Sequence, residues 1–309
     1  MPSVTDLIAP LRSHLSSGEP AVLVRVTKAL GSTPREAGAA MLVTWDMSIG
    51  TVGGGALELS GIDRARAMIA AGESEAVLAV PLGPRIGQCC GGHVTLALSS
   101  VTEALVAEEI VAEAERRALR PAVLIFGAGH TGRALASALA PLPLRVRVVD
   151  TRRDSLAGLP EEVEIVAAAL PEAEVDAAPA GTAFLVMTHD HGLDFLIAAA
   201  ALSRGDAAYV GMIGSATKRE TFRRHLVDAG LADVFGGLTL PIGGSAVRDK
   251  RPEVIAALVA AELVVALLSP ARSKRTEEKQ ALPFAGGASQ CNSDASDFPL
   301  PKAAHASAP

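Results

Sequence analysis

From Val123 to Ala140 the chain reads VLIFGAGHTGRALASALA, an apolar run broken by Gly127, Gly129 and Gly132 and continued by helix formers. That order leaves little choice of local structure: strand, tight turn, helix. The first glycine permits the turn, the second lets a phosphate reach the backbone, and the third allows the helix to lie close on the strand. The segment RVRVVD follows and ends in Asp150, at the remove where such units place an acid for a ribose. Strand, loop, helix, strand and acid in this order predict a Rossmann-like unit, and amides at the helix start can bind an anion. The spacing does not choose the ligand. A dinucleotide, another phosphate ester and an empty loop all satisfy it, and Arg152 and Arg153 either meet a phosphate there or are merely solvated.

Around this motif strand-like and helix-like runs alternate from Ala122 to Gly230, which predicts a parallel sheet covered on both faces. MTHDHGLD (Met187–Asp194) ends one strand at the carboxyl edge, where open α/β sheets bind ligands. His189, Asp190 and His191 there are either metal ligands, an acid–base set, or caps of the next helix. Ser215 and Thr217 are cap candidates at the next such edge, with Lys218 and Arg219 as positive charge for an anion. The chain of 309 residues is long enough for two cores. The expected fold is α/β: a C-terminal Rossmann-like, doubly wound parallel sheet over 121–268 and a smaller N-terminal α/β domain over 1–101. A charged, Ala-rich helical linker over 102–120 joins them, and a Ser/Ala/Pro-rich tail over 269–309 lacks the periodicity of a packed element.

Three glycine-rich connections mark the N-terminal part: GSTPREAG (Gly31–Gly38), GTVGGG (Gly50–Gly55) and GPRIGQCCGG (Gly83–Gly92). The last carries two of the three cysteines. Adjacent Cys89 and Cys90 would form a strained ring as a disulfide, and His93 alone does not complete a zinc set. A reactive thiolate, or a pair contacting a soft atom, is what remains beside inert packing; Gly91 and Gly92 keep the backbone accessible. Ser32, Thr33 and Arg35 offer polar groups, and Gly53, Gly54 and Gly55 offer amides to an anion or a bulky ring. Together the loops outline a pocket for a large anionic ligand with soft sulfur chemistry.

Charge and composition exclude other classes. A formal net charge of -6 gives no attraction for nucleic acid. The longest apolar run, Val254–Leu268, is too short to span a bilayer and contains Glu262, so no membrane partner is expected. Cys291 falls in the tail. Three cysteines without framework spacing, and no leader at the amino end, point to a reducing cytoplasm.

GSTPREAGAAMLV, GTVGGGALE and GQCCGG, followed by VLIFGAGHTGRALA and RVRVVDTR, closely resemble the XdhC/CoxI family. The resemblance runs from about Val22 to Leu268 and includes MTHDHGLD and YVGMIGSATKRE. It implies a non-enzymatic chaperone that binds Mo-molybdopterin, holds it while a cysteine desulfurase exchanges oxo for sulfido, and delivers it to apo-xanthine dehydrogenase. It also implies contact with molybdenum cofactor biosynthesis proteins and a homo-oligomer, a dimer. On this reading Cys90, in the C-G-G shared across the wider family, is favoured to contact the cargo molybdenum, with Cys89, from the narrower double-cysteine form, as the other candidate. Gly91, Gly92, Gly53–Gly55, Ser32, Arg35, Gly127, Gly129, Gly132 and Asp150 complete the cofactor-binding set. The alternative is an NAD(P)-dependent oxidoreductase using the Rossmann part, with the N-terminal part as substrate domain.

Overall fold

The computed structural model describes residues 7–83 and 91–269. A short helix α1 (Ile8–Ser17) precedes the hairpin-rich strands β1 (Val22–Leu30), β2 (Ala40–Val43) and β3 (Ser48–Gly50). Helix α2 (Gly55–Ala71), β4 (Glu75–Pro81) and β5 (His93–Ser100) follow, and the five strands form one antiparallel sheet in the order β3-β2-β1-β5-β4. Alternation along β1 decides its two faces. Val22, Val24 and Val26 join Met41, Leu96 and Leu98 beneath α2, whose Leu57, Ala65 and Met68 are fully buried. Helix and sheet approach closely because Gly61 faces them: a Cβ there would lie 2.9 Å from Met41 Cε.

The opposite face of this sheet is covered by α1 and by α3 (Glu103–Leu119), through a small cluster of Leu11, Ala21, Leu42 and Val106. Thr102 caps α3 by accepting a hydrogen bond from the Leu105 amide at 3.2 Å. The segment expected as a linker therefore belongs to the N-terminal layer. Its charged look comes from one stripe of carboxylates and guanidinium groups; the other stripe packs.

The second sheet is parallel throughout. Its strands are β6 (Ala122–Phe126), β7 (Arg145–Asp150), β8 (Glu164–Ala167), β9 (Ala183–Val186), β10 (Tyr209–Met212) and β11 (Leu238–Thr239). They lie in the order β11-β10-β9-β6-β7-β8. Counting from β6, this is the 3-2-1-4-5-6 order of dinucleotide-binding folds, with the direction of winding reversing between β6 and β9. Helices α4 (His130–Leu139) and α8 (Pro252–Leu268) cover one face around Ile125, Leu135 and Val259. Helices α6 (His191–Ser203) and α7 (Ala216–Asp228) cover the other around Phe126, Ile197 and Phe222, with short α5 (Ala173–Asp176) beside them. Burial on both sides is why β6 and β9 are apolar at every position.

Glu262, midway along the apolar α8, accepts a hydrogen bond from the Tyr209 hydroxyl at 2.6 Å. Burial, then that bond, raises the tyrosine above its ordinary value. No described helix is long and apolar enough to cross a membrane.

Candidate functional site

The crevice opens where the winding reverses, between the carboxyl ends of β6 and β9. Gly127 sits at φ +108°, and a Cβ on it would lie 2.4 Å from the Met187 carbonyl oxygen, so the turn requires glycine. Gly132 is fixed by packing, since its Cβ would fall 1.9 Å from the Gly127 carbonyl oxygen. Gly129 differs. Its φ is an ordinary -71° and nothing lies within 4 Å of an added Cβ, which leaves the start of α4 open to a ligand. A cavity of ≈ 260 Å³ lies there, bordered by Gly129, His130, Thr131, Arg152 and His189.

Asp150 ends β7 with its side chain 4% exposed. Its Oδ2 accepts from the Ala128 amide at 2.8 Å, inside the glycine loop, and its Oδ1 from the Arg152 amide at 2.9 Å. The Arg152 guanidinium adds contacts of 3.2 and 3.3 Å. Burial pushes this carboxyl up, but the Arg152 side chain, then the two backbone donors, outweigh it and hold it below the usual carboxylate range. Asp150 thus braces the loop, and Arg152 is paired rather than merely solvated.

Beyond β9 the polar residues divide in function. Asp190 caps α6, accepting from the Gly192 amide at 2.7 Å and the Leu193 amide at 3.1 Å. Asp194, fully buried, accepts from the Thr188 amide and hydroxyl, and pairs with Lys218, which also donates to the Ile213 carbonyl at 3.0 Å. One ion pair therefore ties the ends of β9 and β10 behind the crevice. Lys218 and Arg219, expected to offer charge to an anion, are engaged internally: Arg219 donates to the Leu240 carbonyl and lies 5.0 Å over Phe235. Ser215 stands at the N-cap of α7 without a side-chain cap bond. Among the described residues no group of three or more His, Cys, Asp or Glu is arranged to hold a metal.

The N-terminal glycine loops converge. Ser32 forms a parallel bridge with Gly91, and a Cβ on Gly92 would lie 2.3 Å from the Ser32 carbonyl oxygen. Gly31 faces the Gly92 backbone, and a Cβ on Gly53 would lie 2.5 Å from Pro34 Cγ. So the far end of the cysteine loop meets the loop from Gly31, which in turn packs on the loop at Gly53. Cys89 and Cys90 lie outside the described residues, as does Cys291.

The expectation for Gly53–Gly55 needs correction. Glu58, in the first turn of α2, turns back into the loop: its Oε2 accepts from the Thr51 hydroxyl at 2.5 Å and from the Val52 and Gly54 amides at 3.3 and 3.2 Å. The Gly53 amide donates to Thr51 Oγ1. The cradle does hold an anionic oxygen, and the chain supplies it. An acid one turn into a glycine-led helix was the available signal. Arg35, exposed on its loop, borders a larger cavity on the other side of the sheet.

Residues 123–263 match the model of the XdhC Rossmann domain, and residues 14–80 that of the XdhC and CoxI family. The chain belongs to the XdhC and CoxI family. It is 28% identical over 257 residues to the uncharacterized protein YqeB of Escherichia coli K12, which takes in 79% of this chain and 43% of YqeB. The chain thus spans less than half the length of that relative. Its fold is shared with a Bacillus halodurans protein described as a xanthine dehydrogenase, at a TM-score of 0.67 and 19% identity over 86% of this chain and 97% of the other. In this XdhC/CoxI chain the matched segments include Ser32, Arg35, Gly53–Gly55 and the whole Gly127–Asp150 unit. The cysteine loop falls between them.

Proposed function

We propose that the protein is a molybdenum cofactor chaperone, not an enzyme. It takes Mo-molybdopterin as cargo, holds it while a cysteine desulfurase replaces an oxo ligand with sulfido, and passes it to apo-xanthine dehydrogenase. The observation that carries the reading is the junction of Gly31, Ser32, Gly91 and Gly92, where backbone that is glycine at three of four positions surrounds the exit of the double-cysteine loop. Thiolates suit a soft, sulfur-ligated molybdenum, and bare backbone suits a flat pterin. On this reading Cys90, or its neighbour Cys89, contacts the metal or its sulfur. The phosphate needs an amide cradle. At Gly129 the start of α4 is open, whereas an anion entering at Gly53–Gly55 must displace Glu58.

A nicotinamide-dependent oxidoreductase draws support from the strand order of the second sheet, but its ribose needs a free acid at the end of β7. Both oxygens of Asp150 are engaged. Protein purified without oxygen separates the two readings: oxidised pterin fluorescence with molybdenum supports the chaperone, and nicotinamide absorbance without either overturns it. Cys90→Ala should fold normally yet lose bound cargo and the ability to activate the apo-enzyme. Cys89→Ala should show an equal or smaller defect, and Cys291→Ala none. Normal loading and delivery by the Cys89→Ala/Cys90→Ala double variant would show the thiols to be inert.

A further inference from the structure

We propose that the space between α1, α3 and the N-terminal sheet is a second binding site, for a small planar or aromatic molecule bearing one oxyanion. It borders the Gly31–Gly38 and Gly50–Gly55 loops at Arg35 and Thr51 but does not include Ser32, Gly91 or Gly92, and it rests on different observations. The intervening residues of β1, Leu23 and Arg25, point away from α2 toward this space. An ordinary helix-on-sheet layer would fill it with aliphatic side chains. Here the small cluster at Leu11 and Val106 stops short, and a cavity of ≈ 540 Å³ remains, within the range of small-molecule sites, roughly 300–1,000 Å³.

Its lining has two chemistries. Leu7, Ile8, Leu11 and Leu23 supply an apolar floor. Facing it, α3 aligns Glu109, Glu113 and Arg116, whose spacing of four and three residues keeps them on one face, and Arg120 follows at the C-cap. They join Arg25 in a ladder: Arg25 to Glu109 at 2.6 Å, Arg116 to Glu109 at 3.6 Å and to Glu113 at 2.9 Å, and Arg120 to Glu113 at 2.5 Å. Glu109 is only 13% exposed and Arg25 25%. Holding Glu109 and Arg25 largely out of water costs stability by desolvation.

The charge balance names the occupant. Three guanidinium groups face two carboxylates in the ladder, a surplus of one positive charge. At the rim Glu36 offsets Arg35 formally, but Arg35 pairs with none of the described residues and is free to turn to a ligand. Guanidinium forks bind oxyanions bidentately and stack on flat rings, while the leucines accept the uncharged body. A single negative charge on a flat molecule satisfies both walls.

The test uses the full chain and two probes, anilinonaphthalene sulfonate and its uncharged analogue N-phenyl-1-naphthylamine. The sulfonate should bind with enhanced fluorescence at about one per chain. Arg35→Gln, on an exposed loop, should weaken it about tenfold, the loss of one charge-assisted contact. Glu109→Gln, which frees a guanidinium and raises the surplus, should tighten it severalfold. Binding of the uncharged analogue should not respond to either change. Should Glu109→Gln fail to fold, Arg35→Gln decides alone. Sulfonate binding indifferent to Arg35→Gln, or identical shifts with both probes, would overturn the site and reduce the fluorescence to apolar patches.

Discussion

Asp150 and Asp194 are carboxylates that the fold uses as braces, and each sets a measurable cost. Removing Asp194 leaves Lys218, whose side chain is 9% exposed, without its counter-charge and strips the Thr188 amide of its acceptor. Asp194→Ala should therefore destabilise the protein by about 3–5 kcal/mol, read from urea denaturation. A cost under about 1 kcal/mol would mean that water replaces the carboxylate. Asp150 predicts a pH dependence. Its carboxyl is held low in the fold, so its ionised form stabilises the protein above the ordinary carboxylate value of about 3.9, and the contribution is lost as pH falls through the folded value. The stability advantage of the parent over Asp150→Asn should be full at about pH 6 and shrink below about pH 4. A gap that widens on acidification would contradict the assignment of Asp150 as a depressed, paired acid.

At the scale of the element, the β6–α4 turn separates architecture from binding within six residues. Gly132→Ala forces a methyl onto the Gly127 carbonyl and should cost at least the ~1–3 kcal/mol of an overpacked core. Gly129→Val meets open space at an ordinary φ and should leave the melting temperature nearly unchanged while weakening a phosphate-bearing ligand. Paired measurements of melting temperature and of copurified pterin or nucleotide check both. Equal stability loss in the two variants would make the loop purely architectural. The same logic explains which elements were legible in sequence. Strands β6 and β9, apolar at every position, and the glycine-punctuated α4 announce themselves. The short β3 and β11 do not, because each of these strands of three residues or fewer is held by its neighbour rather than by any pattern of its own.

For the whole molecule, the described α/β body closes at α8, which packs on α4 and hydrogen-bonds β10 through Glu262. The tail expected from composition lies, from residue 270 on, outside the described residues. Truncation after Leu268 should leave the melting temperature within about 1 °C, since a segment so poor in apolar periodicity buries little. A drop of several degrees would show that the tail packs.

Periodicity, glycine spacing and apolar run length determined from sequence alone that a doubly wound parallel sheet follows a smaller domain, because those signals are local and repeat along one element. They also singled out the loops that meet at Ser32 and Gly91. What tertiary structure alone decided is which charges are already taken. Glu58 fills the Gly53–Gly55 cradle, Asp150 holds Ala128, and Lys218 holds Asp194, each a pairing across 4 to 24 residues. Sequence displays a charge or an amide as available; only the folded chain shows its partner. That α3 is a wall rather than a linker was hidden for the same reason: its stripe of glutamates and arginines reads as solvated until Arg25 is brought beside it across the sheet.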